Sequence, residues 1–231
     1  PVSVYLKIRD QFPNSILLES SDYHGNDNSF SYICCNPIAS IKVEANLITK
    51  TYPDHTFETK TVESDMVTAE IDAFTKQFET QNDKTFKFIN NGMFGFTAYD
   101  AVKYFEDITI SKKDHSIEIP DMYYAVYQNI IAINHFKNEA YLFAHCFERE
   151  SNIEAIDHLI KMQSFSSYDF KSKGKISSNL TDKAFKSNVD LAKKHCNRGD
   201  VFQLVLSKKF QQDFKGDDFN VYRALRSINP S

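Results

Sequence analysis

Tryptophan is absent, and glycine and proline are scarce, six of each in 231 residues. The few glycines form no dinucleotide-binding fingerprint, no P-loop and no nucleophile elbow. No apolar run approaches the roughly 20 residues needed to span a bilayer, and no signal peptide is visible, although the chain opens on Pro1 rather than methionine. The net charge of −4 and a pI near 6.0 leave no basic footprint for nucleic acid or for an anionic membrane. The four cysteines, Cys34, Cys35, Cys146 and Cys196, form no C-x-x-C and no disulfide framework, so reduced thiols in a cytoplasmic protein are expected. The seven histidines are scattered without H-E-x-x-H or any other ligand spacing, so no metal site is expected within the chain. The sequon Asn179-Leu180-Thr181 is read as chance in a cytoplasmic chain.

Aromatic residues are plentiful instead, 20 Phe and 12 Tyr, and can fill a sizeable core. The length falls between one domain and two. Ile16-Leu17-Leu18-Glu19-Ser20-Ser21-Asp22 follows a Pro13-Asn14 turn and reads as a short buried strand ending in a polar cluster. That cluster either caps a solvated turn or lines a small-molecule site. A short helix is expected before it, over residues 2–12, and a turn after it, over 22–28. Strands at 30–35, 41–45, 47–52 and 57–62 make the first third mostly an antiparallel meander. Val67, Ile71, Phe74 and Phe78 form one helical stripe. A strand over 91–96 carries Gly92 and Gly95, the mark of a bulge or of a close backbone approach, or of room for the following helix to pack down. Residues 99–106 are helical in period, and 108–119 form a charged loop. Residues 123–136 and 139–147 form a hairpin around Lys137-Asn138, and a helix follows over 150–162.

Residues 163–178, rich in Ser, Lys and Gly, read as a linker between a first domain (1–162) and a second that begins at 179. In the second, Thr181 is the expected N-cap of a helix with the stripe Phe185, Val189, Ala192 and Cys196, and Gly199 its C-terminal stop. Residues 201–207, apolar on both faces, are expected to be a deeply buried strand. A last helix over 219–227 should turn Tyr222 and Leu225 inward. One fully buried strand between two helices does not complete a domain, so the second domain is expected to be incomplete, with an apolar edge that pairs with another chain or stays poorly ordered.

Three segments carry a resemblance: Leu17-Leu18-Glu19-Ser20 with Phe30-Ser31-Tyr32-Ile33 and Asn36-Pro37; the run from Gly95-Phe96 through Tyr99-Asp100 to Phe105-Glu106; and Gly199-Asp200-Val201-Phe202-Gln203-Leu204-Val205-Leu206-Ser207 with Tyr222-Arg223-Ala224-Leu225-Arg226 and Asn229-Pro230-Ser231. In order and spacing the chain resembles the N-terminal part of the large subunit of anthranilate synthase. The resemblance implies an α+β, antiparallel-sheet-rich chorismate-binding fold with packed helices, its C-terminal catalytic domain incomplete. It further implies a Mg2+-dependent enzyme that adds ammonia to chorismate and eliminates pyruvate, with a glutamine amidotransferase subunit supplying the ammonia and tryptophan inhibiting at a separate site. The Mg2+ and chorismate-carboxylate ligands would lie beyond Ser231, leaving this chain alone inactive.

By the same resemblance Glu19 and Ser20 form one wall of the tryptophan site, with Phe30 and Ser31 at further pocket positions. Phe30 stands where some members carry a basic residue. Asn229, Pro230 and Ser231 begin the opposite wall. A zwitterionic amino acid needs acceptors for its ammonium, donors for its carboxylate and an apolar slot, and Glu19 and Ser20 supply the first and part of the second. A purely structural strand end is the alternative. Gln203 is expected to face the chorismate pocket or, alternatively, to be a buried glutamine hydrogen-bonded within a sheet. Related isochorismate and salicylate synthases carry Lys there as the base that activates water, whereas ammonia has a usable lone pair of its own. Two rival readings remain: the large subunit of aminodeoxychorismate synthase, and a non-catalytic regulatory or binding module.

Overall fold

The chain order is α1 (Val2–Ile8), β1 (Ile16–Glu19), β2 (Phe30–Glu44), β3 (Leu47–Thr51), β4 (Phe57–Thr61), α2 (Val67–Thr75), β5 (Met93–Thr97), β6 (Met122–Asn134), β7 (Glu139–Ala144), α3 (Ile153–Lys161), β8 (Phe170–Ser178), α4 (Asp182–Arg198), β9 (Phe210–Gly216) and α5 (Phe219–Ile228). The computed structural model describes residues 1–19, 29–80, 85–108, 110, 119–147 and 150–229. These form two units, Pro1–Ser166 and Ser167–Ser231. The expected turn over 22–28 and most of the loop over 108–119 lie outside the described residues.

The first unit is a seven-stranded sheet. Its spine is the antiparallel pair β2 and β6, in register from Phe30↔Asn134 to Val43↔Met122. Each long strand serves two neighbours in turn. The outer edge of β2 pairs with β1 up to Cys34 and with β3 from Ser40 onward. The outer edge of β6 pairs with β5 up to Val126 and with β7 from Asn129 onward. The register shifts between Pro37 and Ala39, inside the gap between β1 and β3. A proline has no N–H to donate, and here the outer edge of the strand has no ladder to lose. Two strands were expected over 30–45. The chain instead absorbs Asn36-Pro37 in a bulge and runs on as one strand.

Helices cover the face of odd-numbered β2 residues. Ile33, Cys35 and Ile131 pack with Ile8 of α1 and Ile156 of α3. Past the bulge, Ile41, Val43 and Ile48 pack with Val67 and Phe74 of α2 and with Ala101 and Tyr104. Tyr99–Tyr104 is a 3-10 helix rather than an α-helix. This short segment is fixed from outside itself: Asp121 accepts hydrogen bonds from Tyr104 Oη (2.7 Å), Lys103 Nζ (2.9 Å) and the Ala45 amide (3.0 Å). The opposite face holds Cys34, Phe94, Ala125, Tyr127 and Ile130. Burial pushes both neighbouring thiols up, Cys35 to about 12 and Cys34 further, so they are core residues and not nucleophiles.

In the second unit the helix signals hold. Thr181 Oγ1 accepts from the Ala184 amide at 3.2 Å, and Gly199 closes α4 in the left-handed region at φ 80°. Three expectations are corrected. Residues 163–178 are not a linker throughout, because Phe170–Ser178 is strand β8, paired with β9. Residues 201–207 are neither a strand nor buried; they run without regular structure, with Phe202 98% exposed. The strand begins only at Phe210, because the polar segment Phe170–Ser178 supplies backbone partners there and none to 201–207. Tyr222 and Leu225 are exposed as well, on a helix with no buried residue.

Gly95 tests the sheet. A Cβ there would lie 1.9 Å from the Tyr123 carbonyl oxygen of the adjacent strand, which identifies the close backbone approach expected of a strand glycine. Gly95→Ala should lower stability by about 1–3 kcal/mol, read as a shifted urea midpoint. An unchanged midpoint refutes the close approach.

Candidate functional site

β1 ends where the sequence places its polar cluster. The antiparallel register sets Glu19 opposite Ser31, so both side chains leave the same face of the sheet. Ser31 pairs in turn with Ile133 of β6, and two residues further on His135 folds back over the strand end. Its amide donates to the Ser29 carbonyl at 3.0 Å, and its Nε2 lies 2.7 Å from Ser31 Oγ. Ser31 is fully buried, whereas Glu19 and His135 are half-buried. Burial holds the His135 imidazole below the ordinary histidine range. The Glu19 carboxylate opposes it. An acid and an imidazole thus share the strand end, the one opposite Ser31 in the register and the other against its hydroxyl.

Of the other expected site residues, Phe30 is described in the same unit. Phe30 precedes Ser31 in β2, so its side chain leaves the opposite face. There it stacks on Phe88, with ring centroids 4.6 Å apart, and joins a cluster with Tyr32, Phe86, Tyr141 and Phe143. Ser20, Pro230 and Ser231 lie outside the described residues. Asn229 belongs to the second unit, exposed after the last turn of α5, where its amide donates to the Leu225 carbonyl at 2.8 Å. Gln203 is also in the second unit. It is exposed on the irregular segment.

Two features escaped sequence reasoning. His135 was seen only as part of a hairpin, and its contact with Ser31 spans 104 residues. The second is a cavity of about 540 Å3 in the gap on β6 between β5 and β7, bounded by Ile38, Phe78, Met93, Val126, His145 and other residues. Its size is that of a small-molecule pocket. Beside the gap, a buried polar chain occupies the split in the sheet: Asn36 Nδ2 donates to Gln128 Oε1, Gln128 Nε2 to the Glu150 carbonyl at 3.2 Å, and Asn129 Nδ2 to Asn152 Oδ1 at 2.7 Å. Among the described residues no group of three or more His, Cys, Asp or Glu is placed to hold a metal ion, so they do not fit a Mg2+ site. No helix among them is long and apolar enough to cross a membrane.

An antiparallel sheet backed by helices, continuing into a second α/β unit, is the fold expected of an enzyme that handles chorismate. The family model described as chorismate binding enzyme matches residues 16–231, and the chain belongs to that family. It is 29% identical, over 100% of its length and 50% of the relative's, to anthranilate synthase component 1 of Lactococcus lactis. Aminodeoxychorismate synthase component 1 of Bacillus subtilis is 26% identical over 97% of this chain and 48% of its own length. The solved structure of anthranilate synthase component I from Streptococcus pneumoniae shares the fold, with a TM-score of 0.58 at 24% identity, covering 100% of this chain and 51% of that one. The chain spans about half the length of the curated relatives it matches.

His135 has a measurable signature. Its folded-state value lies below the unfolded one, so protonation favours unfolding. Its contribution to stability is intact above about pH 7 and is lost as pH falls through about 6.5 toward the folded value. Urea midpoints should fall with acidification across that range, and His135→Gln should flatten the fall. Identical slopes in the two proteins contradict the assignment.

Proposed function

We propose that the chain is the N-terminal half of an anthranilate synthase component 1. In this reading the full-length enzyme adds ammonia to chorismate and eliminates pyruvate to give anthranilate. It is a soluble lyase of the cytoplasm and of tryptophan biosynthesis. The ammonia comes from glutamine through an amidotransferase partner, and tryptophan inhibits. The observation that carries the reading is similarity along the whole chain to proteins of that name in Lactococcus lactis and Aquifex aeolicus. Leu204-Val205-Leu206-Ser207 after Gln203 supports it, because the aminodeoxychorismate enzymes tend to follow this glutamine with Val-Asn-Leu. The second reading is aminodeoxychorismate synthase component 1, favoured by the relative in Bacillus subtilis. It retains the amine addition and drops the elimination of pyruvate.

The roles follow from the chemistry of the side chains. Gln203 is neutral and would orient the incoming amine without taking its proton. Glu19, with Ser20 beside it, would accept from the ammonium of a bound amino acid. The Mg2+ that the reaction implies has no fitting ligand set among the described residues. The exposed apolar residues Phe202, Val205 and Ile228 would be covered by the rest of the family fold.

Chorismate, ammonium and Mg2+ supplied to this chain alone should yield no anthranilate fluorescence, while the full-length enzyme should yield anthranilate and pyruvate in equal amounts. Turnover by the chain alone refutes the assignment of the catalytic groups elsewhere, and an amine product without pyruvate selects the second reading. In the full-length enzyme, Gln203→Lys should cut anthranilate formation by about tenfold or more, because a base at that position favours water over ammonia. Unchanged turnover would remove Gln203 from the pocket.

A further inference from the structure

β4 ends the seven-stranded sheet, with β3 on one side and, among the described residues, no strand on the other. All five of its residues, Phe57 to Thr61, are exposed, Phe57 at 75%. The hydrogen bonds just beyond its two ends fix which backbone groups point which way. The Tyr52 amide donates to the Thr56 carbonyl at 2.9 Å, and the Val62 amide to the Asn46 carbonyl at 3.1 Å. Along an antiparallel strand, alternate residues bond to the same neighbour. Glu58 and Lys60, each two places from one of these anchors, therefore turn their amides and carbonyls to β3. Phe57, Thr59 and Thr61 turn theirs outward. Such a row of outward donors and acceptors is a template for another strand.

We propose that β4 is a homodimer interface: it pairs antiparallel with β4 of a second copy of this chain, about a two-fold axis through Thr59, and joins the two sheets into one. The outward row is self-complementary in that register. Thr59 exchanges both backbone bonds with the partner's Thr59, and Phe57 does so with the partner's Thr61. Between them Glu58 faces the partner's Lys60, and Lys60 faces the partner's Glu58. These are non-hydrogen-bonded positions, where facing side chains come closest. Phenylalanine and threonine suit a strand. A two-fold contact of this kind closes on itself, so it gives a dimer and not a fibre.

Charge selects this register over its neighbours. Only residues with outward backbone groups can exchange bonds, so the strands slide only in steps that keep Phe57, Thr59 and Thr61 opposite one another. A slide that sets Phe57 opposite the partner's Thr59 brings the two Glu58 carboxylates face to face. A slide that sets Thr59 opposite the partner's Thr61 does the same to the two Lys60 ammonium groups. Like charges directly opposite destabilise a strand pair, and opposite charges stabilise it. Both side chains keep capacity for the new contact. Lys60 gives one N–H to Glu70 Oε1 at 2.5 Å, and an ammonium carries three. Glu58 accepts from Tyr52 Oη at 3.0 Å through one of its two carboxylate oxygens. Both lie on the α2 side of the sheet, since Lys60 is opposite Ile48, which packs with Val67 and Phe74 of α2.

The test is sedimentation equilibrium of the 231-residue chain from micromolar to near-millimolar concentration. The wild type should rise from 26.7 kDa to twice that mass. Glu58→Lys sets like charges opposite each other across the axis, and so does Lys60→Glu. Each should stay monomeric, its association weakened by about tenfold or more. An equimolar mixture of the two variants should dimerise again, because every facing pair is then of opposite charge. Thr59→Pro removes an outward amide without touching the ladder to β3, and should also be monomeric. Urea unfolding verifies that each variant is folded. A wild type that stays at the monomer mass overturns the proposal. A dimer that survives both charge variants also overturns it, because that dimer forms through another surface, such as the exposed apolar residues of the second unit. Charge variants that are monomeric alone and fail to pair when mixed overturn the register about Thr59.

Discussion

The antiparallel pairing of β2 with β6 is the constraint on which the first unit depends. Neither strand is buried by its own hairpin. Each gains cover because the other holds it extended past the point where its first neighbour ends. The bulge at Pro37–Ala39 makes that possible. A sheet of uninterrupted ladders would need one pair of neighbours along its whole length. The bulge lets β1 and β7 serve one end while β3 and β5 serve the other. The cost is a gap in the ladders beside each long strand. Beside it, Asn36 and Gln128, and Asn129 and Asn152, pair through their side-chain amides, and the Gln128 carbonyl accepts from the His145 amide.

The same register decides what the strand end can do. Side chains alternate in direction along a strand, so a one-residue slip of β1 against β2 would carry Glu19 to the face of Phe30 and away from His135. Leu17 guards against that slip, because it packs against the cluster of Ile8, Ile33 and Ile156, and the slip would turn it to the other face. The candidate site is therefore as well defined as the core next to it. Alternation also explains why Phe30 and Ser31, neighbours in sequence and read together as pocket positions, serve different faces. One joins an aromatic cluster, and the other anchors an imidazole.

Local signals were legible in the sequence. Thr181 and Gly199 mark the ends of α4 because a cap is decided within a few residues. The β6–β7 hairpin was legible for the same reason: Asn138, at φ 55°, supplies the left-handed turn residue between paired strands. The family membership and the antiparallel α+β fold could also be read, from three separated motifs. What resisted were pairings between distant segments. Phe170–Ser178 looks like a linker because its residues are polar, and only the backbone of Phe210–Gly216 makes it a strand. His135 has no motif at all; it becomes a candidate only when the register of three strands is known.

Residues 201–207 show the limit from the other side. Their composition calls for burial, and in this chain they are exposed, as are Leu191, Leu225 and Ile228 in the helices of the same unit. Apolar side chains at this density on one small unit, with no buried residue in α4 or α5, form the kind of surface that interacts with another surface. The first unit has the opposite character: three clusters of buried residues and a continuous sheet. The two units therefore differ in what they need. The first supplies its own core and can hold Glu19, Ser31 and His135 in place by itself. The second carries Gln203 on a segment whose side chains have no core of their own.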